Sequence, residues 1–137
     1  MLSALGRTTL LVRDYDEALA FYRDALGLAV LHDSTGPGEQ RYLHLGVPGQ
    51  PGEPAPGLWM LRPTSDGDVA LIGRQAGDHP FLVFYTSDCA GTLAEWVSRG
   101  VRVKRAPREE GGAVFVHVED CYGNDILLVE RITEGAD

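Results

Sequence analysis

His44 and His117 stand in matching surroundings. Tyr42-Leu43-His44-Leu45 and Phe115-Val116-His117-Val118 each set an imidazole between aliphatic residues in an extended, alternating run. Imidazole titrates near neutrality, so such a pair supports more than one chemistry. Either ring can act as a general base where it meets an acidic substrate proton. Together they can begin a metal site, which then needs a third donor such as His79 or a carboxylate. The plainer role is a histidine that lines a cavity and hydrogen-bonds a neighbour or a ligand. His79 precedes Pro80 and reads as a loop residue, and His32 reads as surface. Cys89 and Cys121 lack metal-motif spacing and read as free thiols.

The elements that carry these residues form a repeat. Leu10 to Gly27 reads as a strand end, a turn, an amphipathic helix and a glycine stop. Asp14 suits an N-cap, with Glu17 completing a loose capping box. Ala18, Phe21, Tyr22 and Ala25 or Leu26 share one helical face. Gly27 suits the residue after the last turn. The plan returns downstream: Asp14 matches Asp88, Leu19 matches Leu93, Ala20 matches Ala94, Tyr22 matches Trp96, and Gly100 closes the second helix. Self-similarity of this kind predicts two copies of one unit. Each half is expected to run strand, helix, then three strands.

In order, the expected elements are a strand over Arg7–Val12, a helix over Asp16–Leu26, and strands over Leu28–His32, Gln40–Val47 and Leu58–Arg62. Asp33 to Glu39 reads as a turn, and Pro48 to Gly57 as a proline- and glycine-rich loop. Residues 63–78 connect the halves, with a short ordered piece at Val69–Ile72. The second half follows with a strand at Phe81–Thr86, a helix at Asp88–Arg99, a short strand at Val101–Val103, a charged loop at Ala106–Gly112, and strands at Val114–Glu119 and Ile126–Glu130. Leu93, Trp96 and Val97 form the second helix's apolar side. Module one is thus 5–62, module two 79–131, and 132–137 a loose tail within a single domain.

Alternation assigns the faces. Leu10, Val12, Leu43, Leu45, Val116 and Val118 are expected to face the helices. The opposite faces then carry Arg7, Thr9, Tyr42, His44 and Trp59 in the first half, and Phe81, Val83, Tyr85, Phe115 and His117 in the second. Faces this aromatic need a covering sheet or a ligand.

The chain has 137 residues, is 44% hydrophobic and carries a formal charge of −8. This fits an ordinary globular domain and argues against a nucleic-acid partner, whose phosphates would be repelled. It would help attract a cationic ligand, although an acidic surface is more often a solubility feature. The N-terminus lacks the basic start and apolar run of a signal peptide, and no segment approaches a membrane span, so a cytoplasmic protein is expected.

The combination Val12-Arg13-Asp14, Ala20-Phe21-Tyr22, Leu26-Gly27 and Asp120-Cys121-Tyr122-Gly123-Asn124-Asp125-Ile126 resembles the vicinal oxygen chelate superfamily. Its members include glyoxalase I, extradiol dioxygenases, and fosfomycin- and bleomycin-resistance proteins. The resemblance runs from about Arg7 to Glu130. It implies an α+β fold of two tandem βαβββ modules whose sheets curl around a central cavity, and commonly a homodimer. In catalytic members that cavity holds a divalent metal. Carried over, the ligand positions fall on Arg7, Phe81, Leu127 and the neighbourhood of Trp59, none of which offers a lone pair suited to a metal. No metal and no cofactor are therefore expected. The resemblance is strongest in character to the metal-free bleomycin-resistance-like members.

Two functions follow. The first is metal-independent sequestration of a bulky aromatic or cationic small molecule, of the drug- or natural-product-resistance type. The second is a lyase, epimerase or dioxygenase of the glyoxalase type, with a displaced metal site or with His44 or His117 as base. An interaction module with a self-filled cavity is a third reading. Whether an enzyme is present stays open at this level, as does any role of Pro48–Gly57 as a lid.

Overall fold

The computed structural model describes residues 1–132 and, at Glu39, the backbone alone. The expected tail over Thr133–Asp137 lies outside the described residues. Ile132, at its start, is tied down by an N–H···O bond of 2.8 Å to Gly112.

The chain divides into two units, Met1–Ile72 and a second beginning at Gly73. The first holds strands β1 (Arg7–Leu11), β2 (Ala29–Thr35), β3 (Arg41–Gly46) and β4 (Gly57–Leu61), in the order β1-β4-β3-β2. The second holds β5 (Pro80–Tyr85), β6 (Arg102–Glu110), β7 (Ala113–Glu119) and β8 (Asp125–Arg131), in the order β5-β8-β7-β6. In each sheet the first and last strands pair in parallel and the remaining pairs are antiparallel. The same order twice makes the fold α+β, built of tandem βαβββ modules.

One helix accompanies each sheet. Helix α1 (Tyr15–Leu19) begins at Asp14, whose carboxylate accepts from the Glu17 N–H at 2.9 Å. The Glu17 carboxylate turns to Arg13, at 2.9 and 3.0 Å from Nη2. Helix α3 (Cys89–Ser98) begins in the same way, with Asp88 accepting from the Gly91 N–H at 3.0 Å. Both end at a glycine of positive φ, Gly27 and Gly100 at 92° each, which a residue with a Cβ adopts only at a cost. A short helix α2 (Asp66–Val69), capped by Ser65, orders the connection just upstream of the expected Val69–Ile72 piece.

The first helix departs from the expected regular course. After Leu19 it continues as a π-helix over Ala20–Ala25, with Leu26 N–H bonded to Phe21 O. The inserted residue rotates the buried face. Ala18, Leu19, Tyr22, Ala25 and Leu26 are buried, whereas Phe21 is only half-buried and sets its ring edge-on to Tyr22 at 5.0 Å. Tyr22 is wholly buried, a burial worth about 1.5–3 kcal/mol for a large apolar side chain. In α3, Cys89 and Trp96 are buried and Trp96 meets Phe84 at 6.5 Å, but Val97, expected on the apolar side, is exposed.

The predicted helix-facing set of Leu10, Val12, Leu43, Leu45, Val116 and Val118 is fully buried. Two segments expected as loops are strand. β2 runs on through Asp33–Thr35, because those polar residues pair with β3 as far as Thr35 opposite Arg41. The charged segment from Ala106 belongs to β6, which is continuous to Glu110 and exposed throughout. Irregularities between Val103 and Arg105 and between Arg105 and Arg108 interrupt its pairing. A charged, bulged edge strand discourages pairing with another chain.

Candidate ligand-binding faces

On the first sheet, cross-strand register builds one transverse row. Thr9 pairs with Trp59, Trp59 with His44, and His44 with His32. Paired residues share a face, so the four side chains line the side away from α1. Tyr42 adds a ring stacked on Trp59 at 6.5 Å and 30°. His44 meets the Trp59 ring edge-on at 6.1 Å. Gly46 and Gly57 continue this face without side chains. Leu31 fills the space above both, its Cδ1 lying 2.7 and 2.8 Å from where their Cβ atoms would stand.

Arg7 fixes the polar end of the row. Its Nε donates to His44 Nδ1 at 3.1 Å, and its Nη1 donates to the carbonyls of Gly6 and Ala55 at 2.9 and 2.6 Å. A guanidinium is always a donor, so His44 Nδ1 must be the acceptor. That assigns the ring as neutral with its hydrogen on Nε2. Burial, then the Arg7 charge, then His32 hold the His44 pKa below its ordinary value. The Trp59 indole N–H is buried and has no hydrogen-bond partner among the described residues.

On the second sheet two rows lie side by side. Val83, Leu127 and His117 form one, and Tyr85, Val129 and Phe115 the other. Val83 and Tyr85 are exposed; Phe115 and His117 are half-buried. Phe81 sits half-buried at the irregularity between Pro80 and Leu82. His117 Nδ1 lies 2.9 Å from Asp125 Oδ1, and Lys104 Nζ lies 3.2 Å from Asp125 Oδ2. The Asp125 side chain is 5% exposed. Against a carboxylate, Nδ1 carries the hydrogen, and in the neutral ring Nε2 keeps the lone pair. Arg131 covers the Tyr85 ring at 5.0 Å.

The structure therefore brings Arg7, Thr9, Tyr42, His44 and Trp59 together on one face. It places Val83, Tyr85, Phe115 and His117 on another. Sequence reading passed over three participants. His32 reaches the first face because a bulge at Leu31 shifts the alternation by one residue after Val30. Asp125 and Lys104 reach His117 through diagonal placement and a bulge in β6, and neither leaves a periodic signal.

A groove of about 550 Å³ opens elsewhere in the first unit, lined by Tyr15, Arg41, Arg62 and Asp68 among others. Its Arg41 is already committed, bidentate to Asp33 at 3.0 and 2.9 Å and set over the Tyr15 ring at 5.4 Å. This leaves the face of the first sheet away from α1, whose Trp59 N–H has no hydrogen-bond partner among the described residues, as the stronger candidate. Cys89 is a buried thiol whose pKa is pushed up by burial, then by Glu130 and Asp88, which suits a packing role.

The positions that the resemblance gives to metal ligands do not fit a metal. Arg7 spends Nε on His44, and Trp59, Phe81 and Leu127 supply no donor lone pair. Among the described residues no group of three His, Cys, Asp or Glu is gathered tightly enough to hold an ion. Among them, too, no helix is long and apolar enough to cross a membrane.

Comparison with known proteins gives the same architecture. A protein of Shewanella frigidimarina (strain NCIMB 400), itself uncharacterized, is 29% identical over 125 residues, covering 90% of each chain. The crystal structure of UcmS2 superposes with a TM-score of 0.79 at 26% identity, over 94% of this chain and 98% of that one. TnmS3, an antibiotic binding protein from Streptomyces sp. CB03234, superposes with a TM-score of 0.75 at 22% identity, over 95% and 97% of the two chains. The family profile matches residues 4–128, and with the twice-repeated βαβββ order it shows that the chain belongs to the glyoxalase/bleomycin resistance protein/dioxygenase superfamily.

Proposed function

We propose that this protein binds and sequesters a bulky aromatic small molecule, and does so through ring stacking and hydrogen bonds rather than through a metal. The observation that carries the reading is the Trp59–Tyr42 pair, stacked at 6.5 Å on a sheet face that also carries Arg7 and His44. Offset aromatic contacts contribute roughly 0.5–1.5 kcal/mol each beyond area burial, so a flat ligand extending this pair gains affinity and orientation together. Family membership supports the reading, since bleomycin resistance proteins belong to the superfamily. So does the fold shared with TnmS3, an antibiotic binding protein.

Tryptophan emission tests it directly, because the chain has two tryptophans with separate duties. Trp96 is core, and Trp59 is on the proposed face. Titration with planar aromatic antibiotics should quench Trp59 saturably, and Trp59→Phe should remove that response while Trp96 emission persists. Quenching undiminished in Trp59→Phe would place binding elsewhere.

A second reading is favoured by one observation, the Asp125–His117 contact at 2.9 Å. A carboxylate on Nδ1 leaves Nε2 able to take a substrate proton, and stabilises the imidazolium that results. Under this reading the protein is a base-catalysed enzyme, and His117→Gln abolishes turnover while sparing binding. Retained turnover would remove it.

A further inference from the structure

We infer that the outer face of the first sheet is an acceptor-seeking subsite, built for an aromatic ligand that carries an anionic oxygen, and that it selects against cations. The inference rests on the aromatic-binding reading and adds the charge of the ligand to it.

Three donors are on the face and the structure leaves each with capacity. Arg7 is half-buried and fixed by three hydrogen bonds, all of them to neutral acceptors, His44 Nδ1 and two carbonyls. Its Nη2 has no hydrogen-bond partner among the described residues, and no described carboxylate lies in ion-pair range of its guanidinium. A half-buried cation in a chain of net charge −8 is ordinarily paired. His44 gives its lone pair to Arg7 and is left with an outward duty as an N–H donor at Nε2. The Trp59 N–H is the third donor, buried and without a hydrogen-bond partner among the described residues.

Acceptor capacity on the same rows is small. The carboxylate of β2, Asp33, pairs with Leu43 on the helix side and is consumed by Arg41. His32 Nε2 is engaged with Ser34 Oγ at 2.8 Å. An ammonium group placed over Trp59 would meet the Arg7 charge with no carboxylate of the described residues to offset it. A carboxylate in that place would satisfy Arg7 and accept from His44, through charge-assisted hydrogen bonds that are stronger than neutral ones. The overall acidity of the chain therefore misleads about this site: the charge that the described residues place on it is positive.

The test uses three planar probes of matched size on the full chain: 2-naphthoate, 2-acetylnaphthalene and 2-naphthylmethylammonium. Calorimetry and Trp59 fluorescence at pH 7.5 should rank them in that order, with naphthoate about ten- to hundredfold tighter than the ammonium probe. Arg7→Gln should bring naphthoate to within a few-fold of the neutral ketone, with circular dichroism checking the fold. Equal binding of all three would keep the aromatic reading and overturn this inference. So would a preference for the ammonium probe in the unaltered protein, which needs no variant to read. Absence of saturable binding by all three would overturn the aromatic reading, and this inference with it.

Discussion

Arg7 donates from Nε to Nδ1 of His44 across 3.1 Å, and this contact fixes the histidine's tautomer. His117, which the sequence repeat sets in the equivalent place, presents the same nitrogen to Asp125 at 2.9 Å. A guanidinium requires an acceptor and a carboxylate requires a donor, so the two imidazoles hold opposite tautomers. Long-range proton–nitrogen correlation on uniformly ¹⁵N-labelled protein above pH 8 reads this directly. His44 should show its hydrogen on Nε2 and His117 on Nδ1. A protonated Nδ1 at His44 would break the Arg7 assignment and the donor count of the first face with it.

The same surroundings give His44 a measurable effect on stability. Burial, Arg7 and the nearby His32 ring at 5.4 Å all oppose its protonation, so its folded pKa lies below the ordinary value near 6.5. Between those two values the unfolded chain binds more protons than the folded one, and stability falls as pH falls. Above the ordinary value the contribution is constant. Urea unfolding between pH 7.5 and 5 should therefore decline more steeply in the natural protein than in His44→Gln, which cannot titrate there. His79 and His117 are common to both proteins and cancel in the difference, whereas the His32 ring, 5.4 Å from His44, is coupled to it and belongs to the effect measured. Asp24 and Asp33, whose pKa values Arg23 and Arg41 hold down, act only below the carboxylate range and leave this window clear. Parallel pH profiles would overturn the assignment.

The repeat was legible because its parts are local and periodic. Asp14 and Asp88 cap helices, Gly27 and Gly100 end them, and the alternation of Leu10, Leu43, Leu45, Val116 and Val118 marks the covered faces. Whatever breaks the period was illegible. The π-turn after Leu19 moves Phe21 off the core by adding one residue to a helix whose composition looks regular. The bulge at Leu31 brings His32, exposed as expected, beside His44, a placement that no periodic pattern marks. The polar stretches Asp33–Thr35 and Ala106–Glu110 resemble loops because an exposed edge strand needs no apolar face. Alternation places Arg7 on the first face, but its bond to His44 joins strands that are not neighbours, which no local pattern marks.

Gly73 begins the second unit with φ of 79°, and a Cβ there would run into the carbonyl oxygen of Tyr122. The obstacle is backbone and cannot swing aside. Gly73→Ala should cost about 2 kcal/mol or more in urea unfolding. Gly77 has φ of 64° with nothing within 4 Å of the same added atom, so Gly77→Ala should cost about 1 kcal/mol from the backbone conformation alone. Equal losses would show that the Tyr122 contact contributes nothing.

Asp120 ties the turn that aligns β7 with β8. It is buried, its Oδ1 accepts from the N–H groups of Tyr122 and Asn124 at 2.8 Å each, and its Oδ2 accepts from Asn124 Nδ2 at 2.8 Å. Asp120→Ala strands three donors, at about 1–3 kcal/mol for each that stays dry. The turn opens onto solvent at Cys121 and Gly123, so water will recover part of this and a loss of about 3 kcal/mol is expected. Hydrogen exchange should speed up first across the Glu119–Asp125 end of the hairpin. A loss below about 1 kcal/mol would mean the turn is held by backbone bonds alone.

Gly36 controls the position of Tyr42. A Cβ at residue 36 would lie 2.6 Å from Tyr42 Cε2, so Gly36→Ala must push the ring away. Among the described residues the ring is held at its far end by one long hydrogen bond, Tyr42 Oη to Gln40 Oε1 at 3.3 Å. The displacement is therefore inexpensive for folding, and stability should change by less than about 1 kcal/mol. Binding should respond more strongly, because the ring stacked on Trp59 is half of the platform. Loss of one good stacking contact corresponds to an affinity for 2-naphthoate weaker by about two- to thirteenfold, from about 0.5–1.5 kcal/mol. Tyr42→Ala should weaken binding at least as much, and the two changes together no more than the larger, since both act on one ring. If Gly36→Ala left affinity unchanged while Tyr42→Ala reduced it, the ring would tolerate displacement and its exact stacking on Trp59 would not be what the ligand reads.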